Sequence, residues 1–156
     1  MAEIRFYHLT KSRLEEALTR LLRRIIDRQD RAVILAGSTE RVEALNAHLW
    51  TFDPASFLPH GSAKDGNAAE QPIYLTAAFE NPNKAKILLL CDGAEPPKAP
   101  DLGSAGFDMA CILFDGQDET AVAATRTQWR DFKAAGQQLV YYQQDESGSW
   151  IEKARQ

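Results

Sequence analysis

The sequence predicts an α/β domain with a mainly parallel sheet and helices on both faces. Three observations point there. Strand-like and helix-like segments alternate along the chain. The strand-like segments are continuous apolar runs rather than alternating ones, which is how strands covered on both faces read. The 156-residue chain, 44% apolar and 26% charged, suits one ordinary globular domain spanning residues 1–156.

The elements follow in order. IRFYHL (4–9) is rich in β-branched and aromatic residues and reads as a strand. A helix is expected from Ser12, with Glu15 completing an S-x-x-E capping box. Leu14, Leu18, Leu21, Leu22 and Ile25 then recur at helical spacing, and Arg20, Arg23, Arg24 and Arg28 take the remaining angles as a solvated face. RAVILAG (31–37) is a buried strand, and STERVEALNAHLW is a helix capped near Ser38 with Val42, Leu45 and Leu49 on one stripe. Loops are expected over 61–72 and 94–106, with PIYLTAA a strand between them. AKILLLCDG (85–93) and FDMACILFDG (107–116) are strong buried strands. DETAVAATRTQWRDFKAAG (118–136) is the last long helix. Its early Asp118 and Glu119 and late Arg130 and Lys133 suit the macrodipole, and Gly136 suits the C-terminal cap. QLVYYQQ (138–144) closes as a strand.

Several function classes are disfavoured at once. A formal net charge of −4 does not predict direct DNA binding, which depends on neutralising phosphates with Lys and Arg. No apolar run approaches the roughly 20 residues that span a bilayer. The segment MAEIRFYHLT shows no secretory signal, so a cytoplasmic protein is expected. Cys91 and Cys111 lie inside apolar runs and read as buried reduced thiols. No metal-ligand spacing exists among the Cys and His residues, so neither metal nor cofactor is expected.

An active site is equally hard to find. A phosphate-binding turn needs glycines that let backbone N–H groups approach the phosphates. The first strand-to-helix turn, HLTKSRLEE, has none, and LAGSTERVE has one with no GK[ST] after it. Asp92 and Asp115 each end an apolar strand, as a metal-holding acid of an ATPase would. A degenerate nucleotide-binding ATPase using either is therefore the alternative, although an Asp in a D-G pair is ordinarily a turn residue. Ser56 and Ser104 lie in no G-x-S-x-G elbow, and His60 has no readable nucleophile beside it.

Binding is better supported. On the last helix Ala121, Thr125, Trp129 and Phe132 share a broad face. Val122 lies at its edge, and Arg126, Arg130 and Lys133 lie just beyond. An apolar stripe bordered by three cations suits an acidic peptide with a hydrophobic anchor and a carboxylate. Composition alone favours the plainer reading, an ordinary amphipathic helix whose long basic side chains drape over its rim. The stretch LWTFDPASFLPHG (49–61) places Trp50, Phe52 and Phe57 among Pro54, Pro59 and Gly61. Either these aromatics cap the core, or some are interface anchors.

IRFYHL, LWTFDPASFLPHG, ILFDG and ATRTQWRDFKAAGQQLVYYQQ, in this order along nearly the whole chain, resemble the chi subunit family of bacterial DNA polymerase III holoenzyme. The resemblance implies a Rossmann-like α/β fold without a nucleotide site and a non-catalytic clamp-loader accessory subunit. It implies binding to the acidic C-terminal tail of single-stranded-DNA-binding protein, with Arg126 on the tail's carboxylate and Trp129, Arg130 and Lys133 around it. It further implies pairing with the small subunit psi, and in some members with a repair helicase, on the side of Phe57, with Trp50 serving one surface or the other. DNA would then be engaged only indirectly. The stretches GSAKDGNAAEQPIY (61–74) and EPPKAPDLGS (95–104) match no motif of that family.

Overall fold

The computed structural model describes residues 2–51 and 60–156. Their chain order is β1 (Glu3–Leu9), α1 (Leu14–Asp27), β2 (Ala32–Leu35), α2 (Thr39–Thr51), β3 (His60–Ser62), β4 (Ile73–Thr76), β5 (Ile87–Leu90), α3 (Ala99–Ser104), β6 (Met109–Asp115), α4 (Glu119–Ala134), β7 (Gln138–Gln144) and β8 (Trp150–Arg155). Two short 3-10 turns lie at Ala63–Asp65 and Ala68–Glu70. The strands form one sheet in the order β3-β4-β2-β5-β6-β1-β7-β8. All neighbouring pairs are parallel except β7 with β8. The α/β class read from the continuous apolar runs is thus the observed one.

Two cores flank the sheet. On one face α1 and α2 bury Leu18, Leu21, Leu22, Ile25, Val42, Leu45 and Leu49 against Tyr7, Ile34, Leu89 and Leu113. On the other, Ile4, Phe6, Val33, Leu88, Ile112 and Leu139 meet Leu102 of α3 and Phe132 of α4. Burial of each large aliphatic or aromatic side chain contributes about 1.5–3 kcal/mol, so the two layers hold the central strands from both sides. Arg20 and Arg24 stay exposed on α1 and Arg28 at its C-terminal cap, whereas Arg23 is half-buried.

Three helix ends are closed locally, at Ser38 and Gly136 as expected and also at Asp118. The Ser38 hydroxyl accepts the Arg41 N–H at 3.2 Å. In α4, Asp118 accepts from the N–H groups of Thr120 and Ala121. Gly136, at φ 76°, then closes that helix with the bond pair Gly136 N–H to Lys133 O and Gln137 N–H to Phe132 O, the Schellman arrangement.

The capping box expected at Ser12 does not form. Helix α1 is preceded by Arg13, which makes no side-chain cap bond. The Ser12 hydroxyl instead accepts from Gln144 Nε2 at 3.0 Å, and Glu15 turns to Arg41. A long-range amide has taken the place of the local box.

Three elements lie where the sequence reading placed loops or nothing. The 94–106 stretch contains α3, and 61–72 begins within β3. Strand β8 follows QLVYYQQ, and only Trp150 and Ile151 in it are large and apolar. It is fixed by Trp150, whose ring stands edge-on to Tyr7 at 5.0 Å, and by Arg155, which reaches across β7 to Glu3 at 3.5 Å.

Candidate functional site

Helix α4 packs on β6 and β7, spanning the β1 strand between them. Thr125 and Phe132 are buried beneath it. The broad apolar face read from the sequence is therefore taken up by the protein's own sheet. What stays open is the flank carrying Val122, Arg126, Trp129 and Lys133, at i, i+4, i+7 and i+11, with Arg130 further outward. Val122 and Trp129 are half-buried and pack against the core edge, whereas Arg126, Arg130 and Lys133 are exposed. Among the described residues none of these three cations is held by a carboxylate.

The floor beside this flank comes from the sheet. Parallel pairing puts Phe6 opposite Tyr141 and His8 opposite both Phe114 and Gln143. Because side chains alternate along strands, Phe6, His8, Phe114 and Tyr141 share the face under α4. Trp129 tilts against Phe6 at 5.4 Å and stands edge-on to Tyr141 at 6.0 Å. His8 lies on Phe114 at 4.9 Å, and its Nδ1 is 2.5 Å from the Tyr141 hydroxyl. Burial pushes the Tyr141 hydroxyl above its ordinary pKa, and the nearby Arg126 guanidinium opposes that rise. Burial also holds His8 below 6.5, with Asp115 opposing.

Neither Tyr141 nor His8 was singled out in the sequence. Each is one letter in a strand-like run, and only the β1–β7 register carries them to Arg126. The two YY positions of QLVYYQQ do differ by face, since Tyr142 stacks on Tyr7 on the opposite side.

Trp50 ends α2, which packs on β3 and β4, at the far end of the sheet from α4. It is 51% exposed and its ring lies 4.4 Å from that of His60. His60 itself is buried, with Nε2 3.3 Å from the Asn46 carbonyl oxygen. Phe52 and Phe57 lie outside the described residues. The helix-flank residues and Trp50 thus belong to two separate surfaces.

The crevice where a doubly wound sheet would hold a nucleotide, at the carboxyl ends of its strands, is present. It encloses about 760 Å³ between the ends of β1, β5 and β6 and the start of α4. Its chemistry is occupied internally. Asp92, at φ 54° in the expected D-G turn, pairs with Arg41 at 2.9 Å, and Arg41 also reaches Glu15 at 3.1 Å. Asp115 accepts the Gln117 N–H at 2.9 Å in a turn of its own. Among the described residues no three His, Cys, Asp or Glu side chains converge as a metal cluster. No helix among them is long and apolar enough to cross a membrane.

Comparison with known proteins gives two findings. The family described as DNA polymerase III chi subunit, HolC, matches residues 1–140. The "Probable DNA polymerase III subunit chi" of Rickettsia prowazekii (strain Madrid E) is 36% identical over 90 residues, which cover 58% of this chain and 54% of that relative. The chain therefore spans about half the length of the curated relative it matches.

Proposed function

The chain belongs to the DNA polymerase III chi subunit family, and from that premise we propose that it is a non-catalytic replication accessory subunit. In this role it links the polymerase III clamp loader to single-stranded-DNA-binding protein by holding that protein's acidic C-terminal tail. The observation that carries the reading is the flank of α4, where exposed Arg126, Arg130 and Lys133 border half-buried Val122 and Trp129. A hydrophobic anchor settles against the apolar rim, and the cations pair with the tail's carboxylates. Arg126 is the residue assigned to the terminal carboxylate by its position in the family's pattern, and its charge is the one of the three that acts on the Tyr141 hydroxyl.

Trp50 marks the second surface, which we assign, with Phe52 and Phe57, to the psi subunit or to a repair helicase. An exposed Trp is a favoured interface anchor. Its position at the opposite end of the sheet lets both partners bind one molecule. DNA is reached through the single-stranded-DNA-binding protein, which fits a net charge of −4.

The test is calorimetric titration with the C-terminal peptide of the same organism's single-stranded-DNA-binding protein at low and moderate salt. One-to-one binding that weakens as salt rises is expected. Arg126→Ala should reduce it by about 1.5–3 kcal/mol, the range for a hydrogen bond to a charged group. Unchanged affinity in that variant removes Arg126 from the site. Heat on titration with Mg-ATP would instead revive the nucleotide-binding alternative at Asp92 or Asp115.

A further inference from the structure

We propose that Tyr141 and His8 complete the carboxylate-recognising corner beside Arg126. The Tyr141 hydroxyl donates to a ligand carboxylate alongside the Arg126 guanidinium, and His8 decides which way that hydroxyl points. The inference rests on the docking reading above and deepens it: the ligand it selects is a peptide with a free terminal carboxylate.

The geometry leaves His8 little freedom. Its ring is laid on Phe114, edge-on to Tyr141, and closed from above by Gly116. A side-chain carbon on Gly116 would strike the imidazole and sit 2.9 Å from the Leu9 carbonyl oxygen. Tyr141 is equally confined, with Trp129, Phe114 and His8 around its ring. Two packed rings with one hydrogen bond between them form a fixed pair, and the only soft coordinate left is where the protons sit.

A tyrosine hydroxyl has one hydrogen to donate, and a neutral imidazole has one N–H. If the hydroxyl donates to a bare His8 Nδ1, it turns only lone pairs toward the Arg126 side, which repel an anion. If His8 carries a hydrogen on Nδ1, it donates to the tyrosine oxygen, and the hydroxyl hydrogen is released toward the ligand. Imidazolium permits only the second arrangement. An anionic ligand therefore favours Nδ1-protonated His8, and protonated His8 favours the ligand, because linkage is reciprocal.

The direction with pH follows from the groups that face the ring. Asp115 on β6 favours the charged form, burial disfavours it, Tyr141 on β7 is neutral, and the charge of Arg126 on α4 acts on the Tyr141 hydroxyl and not on His8. Burial wins, so His8 takes up its proton at a lower pH than an ordinary histidine. A terminal carboxyl ionises near pH 3.3–3.7 in general, roughly, and stays charged across that window. Affinity for the free carboxylate should rise as the solution is acidified through the His8 titration.

The experiment uses the full chain and a short Asp-rich peptide ending in phenylalanine, as the free acid and as the C-terminal amide. Binding is measured at about pH 7.5 and about pH 5.5, on either side of the usual histidine range. The wild type should bind the acid more tightly at the lower pH and show little pH dependence with the amide. Tyr141→Phe should lose about ten- to a hundredfold toward the acid, the range of one hydrogen bond to a charged group, and lose the pH dependence. His8→Phe leaves the hydroxyl free to turn outward, so its affinity should be independent of pH. In the wild-type protein, imidazole nitrogen shifts should move toward the Nδ1-protonated form on saturation, a readout that needs no variant to fold.

If Arg126→Ala weakens binding while Tyr141→Phe matches the wild type at both pH values, the pair has no such role and the docking reading stands. The same holds if the His8 nitrogen shifts do not respond to saturating peptide. If the wild type binds neither peptide at either pH, the docking reading fails and takes this inference with it.

Discussion

Gln144 and Ser12 are bonded in both directions. The Oε1 of Gln144 accepts the Ser12 N–H at 3.1 Å, and its Nε2 donates to the Ser12 hydroxyl at 3.0 Å. The same Oε1 accepts the N–H groups of Thr10 and Lys11 at 3.1 and 3.0 Å. One buried amide from β7 thus supplies the turn that follows β1, where a nucleotide-binding protein would present its amides to a phosphate.

Gln144→Ala leaves those amides without their acceptor and should cost about 2–4 kcal/mol, read from the urea midpoint, since each orphaned group costs about 1–3 kcal/mol and water recovers part of it. Gln144→Glu keeps the acceptor and should be close to wild type at neutral pH. Three N–H donors depress the carboxylate's folded pKa, so its contribution is present above the ordinary glutamate value of about 4.3 and lost as pH falls through the folded value. A Glu variant whose stability is flat down to acid pH would show that the amide is not the organising group.

Gly116→Ala should destabilise the protein by about 2–3 kcal/mol through overpacking, because its new carbon meets both the His8 ring and a backbone oxygen. Adding His8→Ala should relieve part of that cost, so the two losses should not add. Strict additivity in a denaturation cycle would place the strain at the Leu9 carbonyl alone.

Cys91 and Cys111 are free and buried on the face shared with α1 and α2. Burial raises both thiols, Cys111 to about 12, so neither presents a thiolate at neutral pH. Labelling by a soluble disulfide reagent should therefore track global unfolding in denaturant. Fast labelling under native conditions would reveal a local opening of β5 or β6.

Iodide quenching should act chiefly on Trp50, which is 51% exposed while Trp129 and Trp150 are half-buried. Trp50→Phe should remove most of the quenchable emission. If quenching persists unchanged, the accessible ring is elsewhere, and the second docking surface loses its anchor.

The sheet's inner strands were legible because burial on both faces leaves a plain mark: runs such as VIL and ILLL have no other good use. Caps made within four residues were legible too, as at Ser38 and Gly136, whereas Asp118, read for the macrodipole, proves also to be a cap. The box at Ser12 failed because its competitor, Gln144, is 132 residues away in sequence. Strand β8 was missed because an outer strand needs few apolar residues: its edge is held by Trp150, Arg155 and the ladder with β7. Helix α3 was missed because Pro100 and Gly103 depress helix propensity, yet Leu102 is fully buried and anchors it. Of the candidate site, the helix stripe and its bordering cations were readable from spacing, and their assignment to a ligand came from the family resemblance. The half supplied by His8 and Tyr141 depends on strand register, which no local pattern encodes.

The position of β1 governs the order in which the protein is made and completed. Residues 3–9 leave the ribosome before both of their neighbours in the sheet, residues 109–115 and 138–144. The two ladders β4-β2 and β2-β5 join residues no later than 90, so they can form in the nascent chain long before those of β1, with β6 still to come on the free edge of β5. Ile4 and Phe6, fully enclosed at the end, must wait through most of translation without their partner strands. That delay leaves a strand made well before its neighbours unsealed until they follow, and in need of a chaperone's cover in the interval.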